Sequence, residues 1–362
     1  MQLAIPCALM RGGSSKGLYF NEADLPKDIG IRDKVLLAAM GSPDTRQIDG
    51  VGGAHPLTSK VAIISPSSRD DADIDYLFLQ ILVDKGEVSD SQNCGNILAG
   101  VGPFAIESGM VTARDGTTDL RIFMVNTGAI AVARVTTPNG IVNYSGEARV
   151  DGVPGTAAPI PIEFLNIAGS SCGALLPTGK ARDVIDDVAV TCIDNGMPVV
   201  ILNALDFGLT GAESPKQLET NTNLKKRVER IRIKAGLVMN LGDVTDKTVP
   251  KICLVSAPLN GGIINTRTFI PHRVHEAIGV LGSVSVATAA VIQDSVAFEI
   301  ARTQVQDGIN LLEVEHPTGH FSIEMTLEGA ALQQVTVKRA ALLRTARLLM
   351  RGLVFVPAGL QQ

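Results

Sequence analysis

Asn93-Cys-Gly-Asn-Ile-Leu-Ala-Gly-Val-Gly-Pro-Phe-Ala-Ile-Glu-Ser-Gly109 is the stretch on which the fold turns. Asn93 is a good N-cap, the apolar residues Ile97, Leu98, Val101, Phe104 and Ala105 follow at helical spacing, and Gly109 supplies a stop. A helix with so few polar residues belongs inside the protein. With Asn93 as cap, Cys94 falls in the first helical turn, where unpaired N–H groups and the macrodipole stabilise a thiolate or a bound carboxylate. Gly95 lets a ligand come close to the backbone. The same tetrapeptide also suits a small buried cysteine under a cap, and both readings stand at this point.

Outward from this helix, the first half reads as strands and turns. Lys60–Ser65 and Tyr76–Val83 are short β-rich runs bounded by Ser, Pro and Asp. Leu120–Val125, Ala129–Val135 and Ile141–Tyr144 continue the pattern, with Asn126-Thr-Gly128 and Pro138-Asn-Gly140 as turn signals. One further helix, Arg32–Met40, stops at Gly41. The second half repeats the arrangement: strands are expected at Pro198–Leu202, Lys251–Ser256, Ile263–Ile270, Leu311–Glu315 and Phe321–Leu327. Ser214-Pro215 is a helix start. Leu224, Val228, Ile231 and Ala235 then mark an amphipathic helix whose Lys225, Lys226, Arg227, Arg230 and Arg232 form a solvated face. Both halves run from strands through a small-residue turn into a buried helix, Asn93–Gly109 in one and Gly279–Val296 in the other. An α+β fold built by structural duplication is expected, with a cleft between two similar domains.

Composition excludes several function classes. The net charge of -5 offers no broad attraction to nucleic acid or an anionic membrane, and with 4% aromatic residues and no Trp, stacking platforms for bases are scarce. The longest uncharged stretch, Ala277–Gln293, is too short and too interrupted to span a membrane. Cys7, Cys94, Cys172, Cys192 and Cys253 are odd in number and widely spaced, so reduced thiols in a cytoplasmic protein without a signal peptide are expected.

Three further segments could carry chemistry. In Leu57-Thr58-Ser59-Lys60, the lysine opens an apolar run, where desolvation favours a neutral amine able to act as general base. An edge-strand lysine that discourages aggregation is the competing reading. Met10-Arg11-Gly12-Gly13-Ser14-Ser15-Lys16-Gly17 lacks the spacing of a nucleotide-binding loop, yet its glycines, hydroxyls and flanking cations make an oxyanion cradle. In the second half, Arg267 and His272 end a strand, and Gly282-Ser283 opens the buried helix, mirroring the first. His272 and His275 show no metal-ligand spacing apart from Glu276, so no metal is expected.

Together these segments resemble the PrpF-like isomerases, relatives of diaminopimelate epimerase. The resemblance spans nearly the whole chain. It rests on Arg11–Gly17, on Asp49-Gly-Val-Gly-Gly53 running into Pro56–Lys60, and on Asn93–Asn96. It continues through Asp151-Gly-Val-Pro-Gly155, Cys192-Ile-Asp-Asn-Gly-Met-Pro198 and Pro271-His272. It implies two pseudo-symmetric domains, residues 1–185 and 186–362, each a β-sheet wrapped around a central helix, with the active site between them and the terminal segment free to pack back on the first domain. It also implies cofactor-independent isomerisation of a small di- or tricarboxylate, and leaves room for a homodimer. Around Gln92–Gly102 and Cys172–Thr178 the sequence looks most like the 4-oxalomesaconate tautomerases of aromatic-acid degradation, with aconitate or methylitaconate isomerisation as alternatives. The family's catalytic lysine and cysteine fall on Lys60 and Cys94. Substrate contacts are expected at Arg11, Ser14, Ser15, Lys16, Ser59, Asn93, Gly95, Asn96, Met197, Arg267, His272, Gly282 and Ser283. Two departures stand out. Ser14 replaces the family's usual Thr, and Leu281–Ser285 lacks the second catalytic cysteine of the epimerases, which argues against a two-thiol mechanism. A cysteine hydrolase using Cys94 with His272 or His275 is the reading from another enzyme class.

Overall fold

Why a helix as apolar as the one after Cys94 can exist is answered by what wraps it. The computed structural model describes residues 1–91, 94–271, 273–329 and 336–361. The chain divides into two compact units, Met1–Leu165 with Arg344–Gln362, and Asn166–Leu343. The division falls ahead of the expected 185/186 boundary because the 166–182 segment is tied to the second unit. Gly169 N–H donates to the Asp194 carbonyl, and the Asp194 carboxylate accepts from the Ser171 and Cys172 N–H groups.

The first unit contains β1 (Gln2–Gly12), β2 (Ser15–Asn21), α1 (Ile29–Met40), β3 (Lys60–Pro66), β4 (Ile74–Ile81), β5 (Val88–Ser89), α2 (Gly95–Glu107), β6 (Gly116–Met124), β7 (Ala129–Thr137) and β8 (Ile160–Phe164). The second contains β9 (Asp183–Ile185), β10 (Val188–Asp194), β11 (Pro198–Asn203), α3 (Pro215–Thr220), α4 (Thr222–Val238), β12 (Lys251–Ser256), β13 (Ile264–Ile270), β14 (Arg273–Val274), α5 (Val280–Val291), α6 (Val296–Ile300), β15 (Gly308–His316), β16 (Gly319–Glu328) and β17 (Thr336–Arg344). The last strand, β18 (Ala346–Pro357), returns to the first unit and pairs with β1.

Within the first unit the sheet order is β18-β1-β2-β3-β4-β6-β7-β8, with β2–β3 and β4–β6 parallel, the other neighbours antiparallel, and β5 beside β4. Within the second it is β9-β10-β11-β12-β13-β15-β16-β17, with β11–β12 and β13–β15 parallel, the others antiparallel, and β14 beside β13. The two units therefore repeat one strand order, as the duplication inference required. Each repeat carries its apolar helix between corresponding strands. α2 packs on β1, β2, β3, β4, β7 and β18, and α5 packs on β10, β11, β15 and β16. Because the sheets curl around these helices, Ile97, Leu98, Val101 and Ala105 lose all solvent contact, as do Val286, Ala287, Ala289 and Ala290.

The face of the first sheet away from α2 is covered by α1: Val35, Leu36, Ala39 and Met40 pack on Ile5, Cys7, Leu18, Phe20, Val61 and Ile63. Asp28 caps α1, and Gly41 ends it in the left-handed region at φ 83°, which costs glycine little. Among the described residues, no helix is long and apolar enough to cross a membrane.

Several expectations need correction. Ile141–Tyr144 is not a strand; after the turn at Pro138–Gly140 the chain leaves the sheet. The helix expected over Gly279–Val296 ends at Val291, and α6 restarts at Val296 with Ser295 as cap. Arg11–Gly17 is a β1–β2 hairpin with the turn Gly13-Ser14. On α4, Lys226 and Arg230 are exposed as expected, but Arg232 is fully buried. Its guanidinium donates to both Glu229 carboxylate oxygens and to the carbonyls of Val244, Lys247 and Val249, so it organises the loop after α4.

Arg232→Met should therefore strip that loop of its donor and leave buried carbonyls unpaired. The expected cost is about 3 kcal/mol, a fall of roughly 6–10 °C in Tm on thermal unfolding. A shift below about 1 °C would reduce Arg232 to a surface-like role.

Candidate active site

Close backbone contacts set the site. In the β1–β2 hairpin Gly12 pairs with Ser15, and Gly13 takes φ +51°, the positive value that a two-residue hairpin turn asks of its first position. A Cβ on Gly12 would lie 2.4 Å from the Asn96 carbonyl oxygen, and one on Gly13 would lie 2.2 Å from the Asn96 side-chain oxygen. The hairpin tip thus rests directly on the first turn of α2. Asn96 Nδ2 donates to Ser14 Oγ at 3.2 Å, and Tyr19 Oη donates to the Ile97 carbonyl at 2.6 Å.

Lys60 is brought to the same place by β3. It starts that strand, opposite Gly17 on β2 and Gln80 on β4. A Cβ on Gly17 would lie 2.3 Å from the Lys60 carbonyl oxygen, so only glycine allows this approach. The preceding residue is anchored on both sides. Ser59 Oγ donates to the Ile81 carbonyl and accepts from Gln47 Nε2 at 2.7 Å, while Gln80 Nε2 donates to the Ser59 carbonyl.

The outcome is a buried pair. Lys60 Nζ donates to Cys94 Sγ at 3.2 Å, with Lys60 7% and Cys94 9% exposed. The Lys60 ammonium also lies 5.6 Å from the centroid of the Phe78 ring, within cation–π range. Cys94 is itself the N-cap of α2, with extended dihedrals, one position earlier than expected. Its carbonyl accepts from Leu98 N–H and Tyr76 Oη. Its thiol remains at the positive end of the helix, in front of the first-turn N–H groups.

Neighbouring ionisable groups are tuned by this burial. Tyr19 and Tyr76 are held well above the ordinary phenol range, first by burial and then by the nearby Cys94 charge, so both stay neutral donors. Arg344, 2% exposed, is lowered by burial to about 10, with Cys94 pulling it back up. The other thiols are pushed up by desolvation, Cys172, Cys192 and Cys253 to about 12, which makes them poor nucleophiles.

Of the expected substrate contacts, Ser14, Ser15, Gly95 and Asn96 gather beside Cys94. Among the described residues, Ser15 Oγ and Asn96 Oδ1 are buried atoms without a hydrogen-bond partner, and buried polar atoms of this kind suit bonding to a polar ligand. Ser59 is corrected: it is fully buried and spends its hydroxyl on the fold. Arg11 and Lys16 alternate with Gly12 and Gly17 along the hairpin, and both line one cavity together with Ser14 and Ser15. Asn93 and His272 lie outside the described residues.

In the second unit, the Met197 carbonyl accepts from Ser285 Oγ. Arg267 is 7% exposed and donates to the Glu213 and Thr266 carbonyls and to Asn265 Oδ1. α5 opens at Val280 behind Gly279, so Gly282 lies within its first turn, and fully buried Ser283 returns its hydroxyl to the Val280 carbonyl. Arg267 and Ser283 thus serve their own unit's framework. His275 is lowered by burial, and its Nδ1 accepts from Ala277 N–H. Among the described residues, no group of three or more His, Cys, Asp or Glu is placed to hold a metal.

Sequence reasoning missed Gln47, Tyr76, Phe78 and Arg344. Gln47 alone left a signal, sitting just before the glycines of Asp49–Gly53, where a Cβ on Gly52 would lie 2.1 Å from its side-chain oxygen.

A 4-oxalomesaconate tautomerase of Pseudomonas putida is 58% identical over 355 residues, covering 98% of this chain and 97% of the relative. A (4E)-oxalomesaconate Delta-isomerase of a Novosphingobium species is 58% identical over 352 residues, covering 97% of each. The crystal structure of a methylitaconate-delta-isomerase superposes with a TM-score of 0.88 at 35% identity, covering 100% of this chain and 97% of that one. The family model described as PrpF protein matches residues 2–357, and the chain belongs to the PrpF family.

Proposed function

We propose that this chain catalyses an intramolecular proton shift, a tautomerisation or 1,3-allylic isomerisation, in a small unsaturated keto-tricarboxylate, and that 4-oxalomesaconate is its substrate. The observation that carries the reading is the buried contact of Lys60 Nζ with Cys94 Sγ at the N-cap of α2. An amine and a thiol at hydrogen-bond distance provide a base and an acid together, since a proton taken by one can be matched by a proton given from the other. The substrate assignment draws on the two oxalomesaconate enzymes that share 58% of their aligned residues with this chain.

In the proposed reaction, Lys60 removes a proton from a carbon made acidic by an adjacent carbonyl and double bond. The electron pair left behind delocalises as a dienolate onto keto and carboxylate oxygens. The first-turn N–H groups of α2, the hydroxyls of Ser14 and Ser15 and the buried guanidinium of Arg344 are the donors nearest to that developing charge, and such preorganised donors often supply the largest catalytic term. A proton returned to the far carbon, or to the keto oxygen, from Lys60 or Cys94 completes the shift. The substrate gives up one proton, regains one and keeps its electron pair, so the step is redox-neutral and needs no external oxidant. Five unlinked thiols fit work in a reducing cytoplasm.

The direct test is incubation with 4-oxalomesaconate, and separately with cis-aconitate and methylitaconate, in deuterated water under proton NMR. Deuterium should appear at the product position with 4-oxalomesaconate at the highest kcat/KM. Preference for either other acid would reassign the substrate, and no exchange with any of them would sink the isomerase reading.

Lys60→Met keeps the apolar stem and removes the base, so kcat should fall at least about 10²-fold with the fold retained by circular dichroism. Near-normal turnover would leave Lys60 a buried structural residue of β3.

Limited iodoacetamide labelling mapped by mass spectrometry should mark Cys94 ahead of Cys7, Cys172, Cys192 and Cys253, whose thiols burial holds protonated. Substrate should protect it. Earlier labelling at any of the other four, without protection of Cys94, would take Cys94 out of the site.

A further inference from the structure

Phe78 sits at a gap in the first unit's sheet, and one side chain fills that gap. On one side β4 pairs with β3, where Phe78 stands opposite Ala62. On the other side the neighbour of β4 changes along the strand. The parallel ladder with β6 runs as far as Tyr76, opposite Met124, with one more bond from Val125 N–H to the Tyr76 carbonyl. The ladder with β5 starts at Gln80, opposite Ser89. Between the two, among the described residues, no strand lies beside Phe78. A buried backbone N–H and C=O left in such a gap would each cost free energy. The carboxamide of Asn126 takes the missing strand's place. Its Oδ1 accepts from Phe78 N–H at 2.9 Å, and its Nδ2 donates to the Phe78 carbonyl at 2.9 Å. Nδ2 donates a second time, to the Asp90 carbonyl at 2.9 Å. Of the side chains, Asn and Gln alone offer an acceptor and two donors on one planar group.

Both ends of this clamp lead to Lys60 and Cys94. The fully buried Phe78 ring has its centroid 5.6 Å from Lys60 Nζ. Asp90 directly follows β5 and stands four residues ahead of Cys94, the N-cap of α2. Tyr76, two residues before Phe78 on the same strand, donates its hydroxyl to the Cys94 carbonyl at 3.3 Å. The turn that presents Asn126 is itself fixed, since Thr127 and Gly128 N–H both donate to the Met124 carbonyl. One carboxamide thus joins the strand that backs the ammonium to the stretch of chain that precedes the thiol.

We propose that Asn126 is a positioning residue for the Lys60–Cys94 pair, holding β4 and the chain at Asp90 together so that the amine stays in contact with the thiol. The inference rests on the reading of that pair as the reactive centre.

The test compares wild type, Asn126→Ala, Lys60→Met and the double variant by two readouts. The first is turnover of 4-oxalomesaconate. In Asn126→Ala, kcat should fall at least about tenfold while KM stays within about twofold, because a misplaced reacting group slows the chemistry without weakening binding. The second readout, iodoacetamide labelling of Cys94 at fixed pH, needs no turnover. A thiol that loses a neighbouring ammonium is less reactive, so Asn126→Ala should label at least about threefold more slowly than wild type. In the Lys60→Met background the same replacement should leave the rate nearly unchanged. A merely structural Asn126 predicts the reverse, faster labelling of a loosened site in both backgrounds. Should Lys60→Met turn over normally, the functional reading fails and labelling alone decides the role of Asn126. Asn126→Asp keeps the acceptor for Phe78 N–H and loses both donors; it replaces Asn126→Ala if that variant does not fold, with the same directions expected. Four results would overturn the proposal: kcat within about twofold of wild type in a folded variant, a raised KM with kcat unchanged, labelling accelerated alike with and without Lys60, or failure of both Asn126 variants to fold.

Discussion

Backbone lying against backbone, with no side chain between, is the constraint on which the candidate site depends. Gly12 and Gly13 let the hairpin tip touch Asn96, and Gly17 lets β2 touch the carbonyl of Lys60. A Cβ on Gly12 or Gly17 would meet backbone oxygen at 2.4 or 2.3 Å, so the strands would have to shift from the arrangement that leaves Lys60 Nζ 3.2 Å from Cys94 Sγ. The reactive pair is therefore positioned by glycines that carry no chemistry. Gln47 and Gln80 then brace the residue before Lys60 from two sides, so an otherwise flexible ammonium starts from a fixed backbone.

Much of this was legible in the sequence because it was written in local patterns. The helical run after Cys94, the strand opened by Lys60 and the stop at Gly41 are short-range signals, and all three appear where expected. Lys60 and Cys94 were singled out for the same reason, each being a reactive group at the mouth of an apolar run. What escaped was decided at long range. Arg232 looks like its exposed neighbours on α4 until the carbonyls of 244–249 fold over it. Arg344 comes close enough to feel the Cys94 charge from 250 positions further along the chain, a meeting that no local pattern encodes. Ile141–Tyr144 has the composition of a strand, yet it forms no ladder; its Asn143 N–H reaches back to the Thr136 carbonyl of β7.

The two units solve one packing problem with the same strand order and with different polar chemistry. In the first, the helix start holds the Lys60–Cys94 contact and, among the described residues, buried polar atoms that lack partners. In the second, Ser283 and Ser285 at the corresponding helix start return their hydroxyls to backbone carbonyls. One strand order thus carries two different polar arrangements, which no inspection of the fold alone would assign.

The return of β18 to the first unit has a consequence for biosynthesis. In the second unit the place next to β10 is filled by β9, only a few residues away in the chain; in the first, the same place next to β1 is filled by residues 346–357. On the ribosome, the second unit's sheet involves only strands already made by the time β17 emerges, whereas β1 presents a bare edge until β18 has followed. At ordinary elongation rates that interval is on the order of tens of seconds. An open edge invites pairing with other nascent chains, so the unit that carries the reactive pair is the last to close and the one most exposed to misassembly while the chain is being made.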